Sequence, residues 1–180
     1  MNKVELLDDC NNSLGEGITY SSINNNLYWL DIGNISKLYK LELSSNKKEV
    51  FELPEIVTAT SIKSNDELIL ATNNGLKLFD TSNKNFESVI NIEDQQLLTR
   101  SNDGGSDAYG RFWFGTMQNN FDQDGNGIPI KDNIGKLYRV DINKNISIME
   151  EGLGIPNTFV WSPDNKNFYF SDTLKGTILS

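Results

Sequence analysis

Arg100, Asn102 and Asp103 fall close together at the head of RSNDGGSDAYGRFWFGTM, the stretch from Arg100 to Met117. Arg is a donor fork suited to carboxylates or sugar hydroxyls, Asn both donates and accepts, and Asp bonds the backbone amides of a turn. A Gly-rich turn and an aromatic run follow. The stretch reads either as a polar loop entering a β-strand or as a loop presenting polar groups to a small ligand from a rigid sheet. Glu16 stands between Gly15 and Gly17 in LGEGITY, and glycine on both sides permits close backbone approach and unusual φ values. Asn157 follows Pro156 in LGIPNTFVW and can offer an amide oxygen to a hard cation. Taken alone, Glu16 also fits a tight turn with a solvated carboxylate, and Asn157 a residue that shapes its turn.

Composition removes most other chemistries. The chain has no His, which excludes histidine general bases, Ser-His-Asp triads and His-ligated zinc. One Cys, Cys10, makes neither an internal disulfide nor a thiolate cluster for zinc or iron–sulfur. Any metal must be a hard cation held by carboxylates, amides and carbonyls. The net charge is −9 with Lys and Arg scattered, so no positive stripe is available for a phosphate backbone or an anionic membrane. MNKVELLDDC carries no apolar leader, and no apolar run suits a membrane-spanning helix; the default expectation is a cytoplasmic protein. The loop DQDGNGIPIKDN, Asp122 to Asn133, opens like an EF-hand. Asn133 stands where a bidentate Glu is required and Pro129 interrupts the loop, so it reads as a polar connection between strands.

The elements that position these residues are short strands. NNLYWLDI, DELILATN, GRFWFGTM and KNFYFSDT each follow a polar turn and end in a small or acidic residue. A second strand follows: SKLYKLEL, NGLKLFD, GKLYRVDI and the opening of KGTILS. The pattern recurs four times at a spacing of roughly 40–55 residues, the range of a propeller blade. Alternation in KLYRVDI supports strands, and helical spacing is weak throughout. A sandwich or barrel gives similar strands without requiring this recurrence. A propeller must close its ring to hide sheet edges, and six blades at this spacing need roughly 240–300 residues. The 180 residues are therefore read as a single propeller domain, 1–180, incomplete at its C-terminus.

Taken together, LGEG, NNLYWLDI, RSNDGGSDAYGRFWFGTM, GKLYRVD and GIPNTFVWSPDNKNFYFSD resemble the senescence-marker-protein, gluconolactonase and regucalcin family. The resemblance covers nearly all of the chain, in the family's order. It implies an all-β, six-bladed β-propeller of which this chain covers roughly the first four blades. It also implies one divalent metal in the central channel and hydrolysis of lactones such as sugar lactones. Calcium is the first expectation for that metal, with magnesium, manganese or zinc as alternatives. By the same resemblance Glu16 and Asn157 match metal ligands, and Arg100 and Asn102 match substrate contacts.

The family's remaining metal-binding Asp, also its proposed general base, lies in a later blade, and no segment here corresponds to it. A C-terminal fragment or a second chain completing the ring is the implied partner, beside the small lactone. A non-catalytic calcium-binding propeller or assembly module is the alternative function. Smaller departures are Thr158, where the family has Gly, and Gly105, where it has Lys. In QNNFDQDGNG the substrate-facing acid that often follows GTM in the family is left unassigned.

Overall fold

The computed structural model describes residues 3–33, 35–94, 98–122 and 124–180. Every regular element among them is a β-strand. The first sheet contains β1 (Gly15–Ser21), β2 (Asn26–Asp31), β3 (Lys37–Glu42) and β4 (Lys47–Glu52). The second contains β5 (Val57–Ile62), β6 (Glu67–Thr72), β7 (Gly75–Asp80) and β8 (Phe86–Asn91). The third contains β9 (Thr99–Ser106), β10 (Phe112–Gln118), β11 (Gly135–Val140) and β12 (Ile146–Leu153). The fourth contains β13 (Pro156–Trp161), β14 (Phe168–Asp172) and β15 (Thr177–Leu179). Each sheet is an antiparallel meander in chain order. The first strands β1, β5, β9 and β13 lie against one another in turn. The sheets are thus successive blades of a β-propeller, with the first strand of each on the inside.

The strands anticipated from aromatic and aliphatic patterning are the second and third strands of each blade. The inner and outer strands were not resolved by that patterning. The inner ones read GEGITYS, VTATSI, TRSNDGGS and PNTFVW, rich in small and polar residues because they face a channel rather than a core. The outer ones, such as KKEVFE and FESVIN, carry charge because they form the solvent-facing edge. One expectation is corrected here: Arg100–Asp103 lies within strand β9, not in a loop that precedes a strand. Main-chain pairing with β10 holds it there.

The cores lie between blades. Tyr28, Leu30, Leu38 and Phe51 of the first blade meet Val57, Leu68, Leu70 and Phe79 of the second. Ala59, Ala71 and Leu76 meet Phe112, Phe114, Tyr138 and Val140. Trp113, Leu137 and Leu153 meet Phe170, Phe159 and Phe168. β10 is buried on both faces from Phe112 to Met117 because Phe112 and Phe114 point toward one neighbouring blade while Trp113 points toward the other. Each fully buried Leu or Phe contributes about 1.5–3 kcal/mol by leaving water. The inner strands are fixed from behind by these contacts, to which Val57 and Ala59 of β5 and Phe159 and Trp161 of β13 themselves contribute.

The Asp122–Asn133 loop has no helix on either side. Gln123 within it lies outside the described residues. Asp122 Oδ1 accepts the amides of Asp124 and Asn126, and its Oδ2 accepts Asn126 Nδ2. The same bonding recurs at Asp141 with Asn143 and Asn145. Both are Asp-capped turns whose carboxylates are committed to their own loop.

Candidate active site

Each inner strand breaks register at the position where a polar side chain is needed. β1 shifts against β2 between Glu16 and Thr19. β5 shifts between Val57 and Ala59, around Thr58. In β9, Ser101 pairs with Thr116 and Gly104 with Phe114, so Asn102 and Asp103 together stand opposite Gly115. β13 shifts between Asn157 and Val160. A β-bulge re-aims a side chain that regular pleating would send to the other face. It is why consecutive Asn102 and Asp103 reach the same cavity.

That cavity has a volume of about 120 Å³. Glu16, Thr58, Arg100, Asn102, Asp103 and Asn157 supply its polar lining, and Leu14, Ile32, Met117, Ile130 and Ile155 its apolar walls. All four residues singled out from sequence therefore line one space, drawn from β1, β9 and β13. Glu16, Asp103 and Asn157 also line an adjoining cavity of about 350 Å³.

Asp103 and Thr58 are cavity residues that sequence reading did not select. Asp103 was read as a turn cap, and it does cap: Oδ1 accepts its neighbour Gly104 N at 2.8 Å and Oδ2 accepts Thr158 N at 2.8 Å. Burial pushes its carboxyl up, and the two amides partly offset that. Thr58 Oγ1 donates to Ser101 Oγ at 2.7 Å, tying β5 to β9. The adjacent glycines Gly104 and Gly105 were the only sequence hint that β9 departs from regular pairing. A Cβ at Gly104 would lie 2.5 Å from the Trp113 carbonyl oxygen, so the strands approach closely where the bulge forms.

Asn102 Nδ2 donates to the Pro156 carbonyl at 3.0 Å, which locks β9 to β13. Asn157 Oδ1 accepts Thr158 N at 2.9 Å and keeps a second lone pair. Asp172, fully buried, accepts the amides of Gly154 and Ile155 and so fixes the turn that delivers Asn157. At the other end, Glu93 accepts Thr99 Oγ1 and the Tyr138 hydroxyl, both at 2.7 Å, and fixes the entry to β9. Burial, then the Glu93 carboxylate, raises the Tyr138 hydroxyl well above its ordinary value. Glu16 is exposed, and its carboxylate has no hydrogen-bond partner among the described residues.

The donor set suits a hard divalent cation: two carboxylates, Glu16 and Asp103, and the amide oxygen of Asn157 line one space, with no nitrogen or sulfur ligand among them. Among the described residues, no group of three or more acidic or sulfur side chains is placed to hold a metal. No helix of the described residues is long and apolar enough to cross a membrane.

A family model described as "SMP-30/Gluconolactonase/LRE-like region" matches residues 14–180. L-arabinolactonase of Azospirillum brasilense is 30% identical over 175 residues, which is 94% of this chain and 54% of that protein. The 6-deoxy-6-sulfogluconolactonase of Pseudomonas putida is 29% identical, covering 89% of this chain and 52% of that protein. The crystal structure of a calcium-binding protein, regucalcin, from Agrobacterium tumefaciens superposes with a TM-score of 0.84 at 28% identity, over 96% of this chain and 55% of its own. The chain thus spans about half the length of the relatives it matches.

Proposed function

Because this chain belongs to the SMP-30/gluconolactonase/LRE-like family, we propose that it carries the inner wall of a divalent-metal-dependent lactonase acting on a sugar-type lactone. The observation that carries this reading is the convergence of Glu16, Arg100, Asn102 and Asn157, from three blades, on one cavity. Relatives named as lactonases support the reaction class, and the regucalcin relative supports a calcium-type cation.

Glu16 and Asn157 would hold the cation, with Asp103 beside them. When bound there, a hard cation supplies a Lewis acid for a lactone carbonyl. Arg100 and Asn102 donate to substrate oxygens and fix its orientation, since a ring held in one pose needs less ordering at the moment of reaction. The apolar walls Ile32, Met117 and Ile155 take the carbon face of the ring and exclude water. Attack by water needs a base, and the carboxylate for that role comes from outside these residues; further blades, contributed by the same polypeptide or by a second chain, would supply it.

The test is hydrolysis of glucono- and arabinolactone by the whole polypeptide, with and without chelator, beside its Glu16→Gln variant. Loss of turnover in both is expected, and full turnover in Glu16→Gln would remove Glu16 from the site. A second reading, a calcium-binding propeller without turnover, is supported by the regucalcin relative, whose structure is described as that of a calcium-binding protein. In that case calcium binds, Glu16→Gln abolishes binding, and no lactone is consumed.

A further inference from the structure

Independently of the lactonase reading, we infer that Asn126 is a site of spontaneous covalent modification: the Gly127 nitrogen closes on the Asn126 side chain, ammonia leaves, and a carboxylate remains on the β10–β11 connection. Glycine after asparagine leaves the backbone nitrogen unhindered for this ring closure. Asn-Gly occurs twice in the chain, at Asn74–Gly75 and Asn126–Gly127. The two pairs are alike in sequence, and the fold holds one and presents the other.

Gly75 is buried and pairs with Thr72 on one side and Asn91 on the other. A Cβ there would lie 2.3 Å from the Ile90 carbonyl oxygen and 2.6 Å from Ile92 N, so the backbone of β8 closes on it. Thr72 Oγ1 accepts the Asn74 amide at 3.0 Å and donates to the Gly75 carbonyl at 3.1 Å. The Asn74 carbonyl accepts Ile92 N at 3.4 Å. Swinging Gly75 N onto the Asn74 side chain would therefore break the pairing of β6, β7 and β8.

Asn126 and Gly127 are both exposed. Gly127 stands opposite Phe121 in an isolated bridge. The flanking bonds run from Asp122 N to the Asn126 carbonyl at 3.0 Å and from Ile128 N to the Asn120 carbonyl at 2.8 Å. Phe121 and Gly127 are thus a non-hydrogen-bonded pair, whose own N–H groups point away from the opposite chain. The Gly127 nitrogen is turned outward, and a Cβ on Gly127 would meet nothing within 4 Å. Two residues earlier, by contrast, Gly125 N donates to the Asp122 carbonyl at 3.1 Å.

In the reaction, Gly127 N gives its proton to water and bonds Asn126 Cγ. The Cγ–Nδ2 bond breaks, and ammonia leaves with a proton returned by water. Water then opens the cyclic imide at either carbonyl, leaving aspartate or isoaspartate at position 126. The sum is one water in and one ammonia out. The product carboxylate faces Asp122, which now accepts the Asn126 amide at 2.8 Å and Asn126 Nδ2 at 3.1 Å. Those donors, the backbone one first, hold the Asp122 carboxyl below its ordinary value. Modification removes the side-chain donor and sets two like charges together. The turn so loosened lies between Asn120, which accepts Arg100 Nε at 2.8 Å, and Ile130, which lines the cavity.

The experiment holds the whole polypeptide in mildly alkaline buffer and follows each Asn-Gly pair by peptide mass mapping. Asn126 should convert at least tenfold faster than Asn74. In denaturing urea, where no fold protects either pair, the two rates should come within threefold of each other. Equal rates in the folded protein, a faster Asn74, or a tenfold lead that persists in urea each overturn the inference. Gly127 does not need a left-handed φ, so Gly127→Ala should fold as the parent does and slow conversion at Asn126 at least tenfold; an unchanged rate also overturns it. Asn126→Asp carries the product itself. Its Asp122 carboxyl, followed by carbon NMR, should titrate at higher pH than in the parent, and an unchanged midpoint overturns the effect on the turn.

Discussion

Asp103 Oδ2 accepts the backbone N–H of Thr158 at 2.8 Å, joining the inner strands of the third and fourth blades at the cavity. The two residues are 55 positions apart. The bond places the Asp103 carboxylate beside Asn157, whose own Oδ1 accepts the same N–H. Asp103→Ala removes it and leaves the Thr158 amide with a weaker local partner. A loss of about 0.5–1.5 kcal/mol is expected for removing one hydrogen bond from an amide that keeps a second acceptor, read as a lowered urea midpoint. Calcium affinity should fall in the same variant, and an unchanged affinity would place Asp103 outside the donor set.

Thr158 itself is held at φ 59°, a left-handed conformation that is costly for a β-branched residue. Its counterpart after Glu16 is Gly17, at φ 63°. Both follow a cavity residue at a register shift. Thr158→Gly is therefore expected to stabilise the protein by about 1 kcal/mol, against the usual trend for Gly in a strand. A lower midpoint in urea for the variant would show that the Thr side chain contributes more than its backbone costs.

Gly104→Ala tests the close approach under the bulge. Its Cβ would fall 2.5 Å from the Trp113 carbonyl oxygen and 2.8 Å from Phe114 Cβ, and neither neighbour can give way without moving β10. A destabilisation of about 1–3 kcal/mol is expected from the overpacking. Ligand binding should weaken with it, because β9 carries Arg100, Asn102 and Asp103 together. Retained binding with full stability would mean that the strands part easily here.

Asp107 gives a pH dependence with a definite sign. Burial pushes its carboxyl up, but Trp113 Nε1, Arg111 and the amides of Arg111 and Tyr109 outweigh it and hold the group below its ordinary value. A lowered native value means that the unfolded chain takes up the proton first. The stabilisation is then complete above about pH 4, the ordinary carboxyl range. It disappears as pH falls through the lower native value. Asp107→Asn should cost about 2 kcal/mol at neutral pH, and the gap between variant and parent in urea unfolding should close progressively as pH falls below about 4. A gap that stays constant as the pH is lowered below about 4 would refute the linkage.

The second and third strands of each blade were legible because they are core strands. Residues such as Leu30 and Leu38, or Phe112 and Phe114, must be apolar to fill the spaces between blades, and that need writes itself into the sequence as aromatic and aliphatic runs. Glu16 and Asn157 were legible as isolated polar residues beside glycine or proline, and Arg100 and Asn102 as members of the polar run RSND ahead of Gly104 and Gly105. Their order in the chain, set against the family pattern, was enough to group them. The lack of histidine restricted the chemistry to oxygen donors before any geometry was known.

Tertiary structure decided which strands face the channel and where their register breaks. The inner strands look like loops in sequence because channel-facing positions select small and polar residues, and most of the apolar contacts that hold them belong to the second and third strands of the blades. Asp103 entered the site only through the bulge that sets it beside Asn102 opposite Gly115, a consequence of pairing between strands that no local pattern encodes. The contacts of Arg100 with Asn120 and Phe121 likewise arise because the β10–β11 connection folds back over β9. Sequence alone determined the kinds of atom the site can use. Contacts between residues distant in the chain determined which of those atoms meet, because burial and register are properties of the assembled blades.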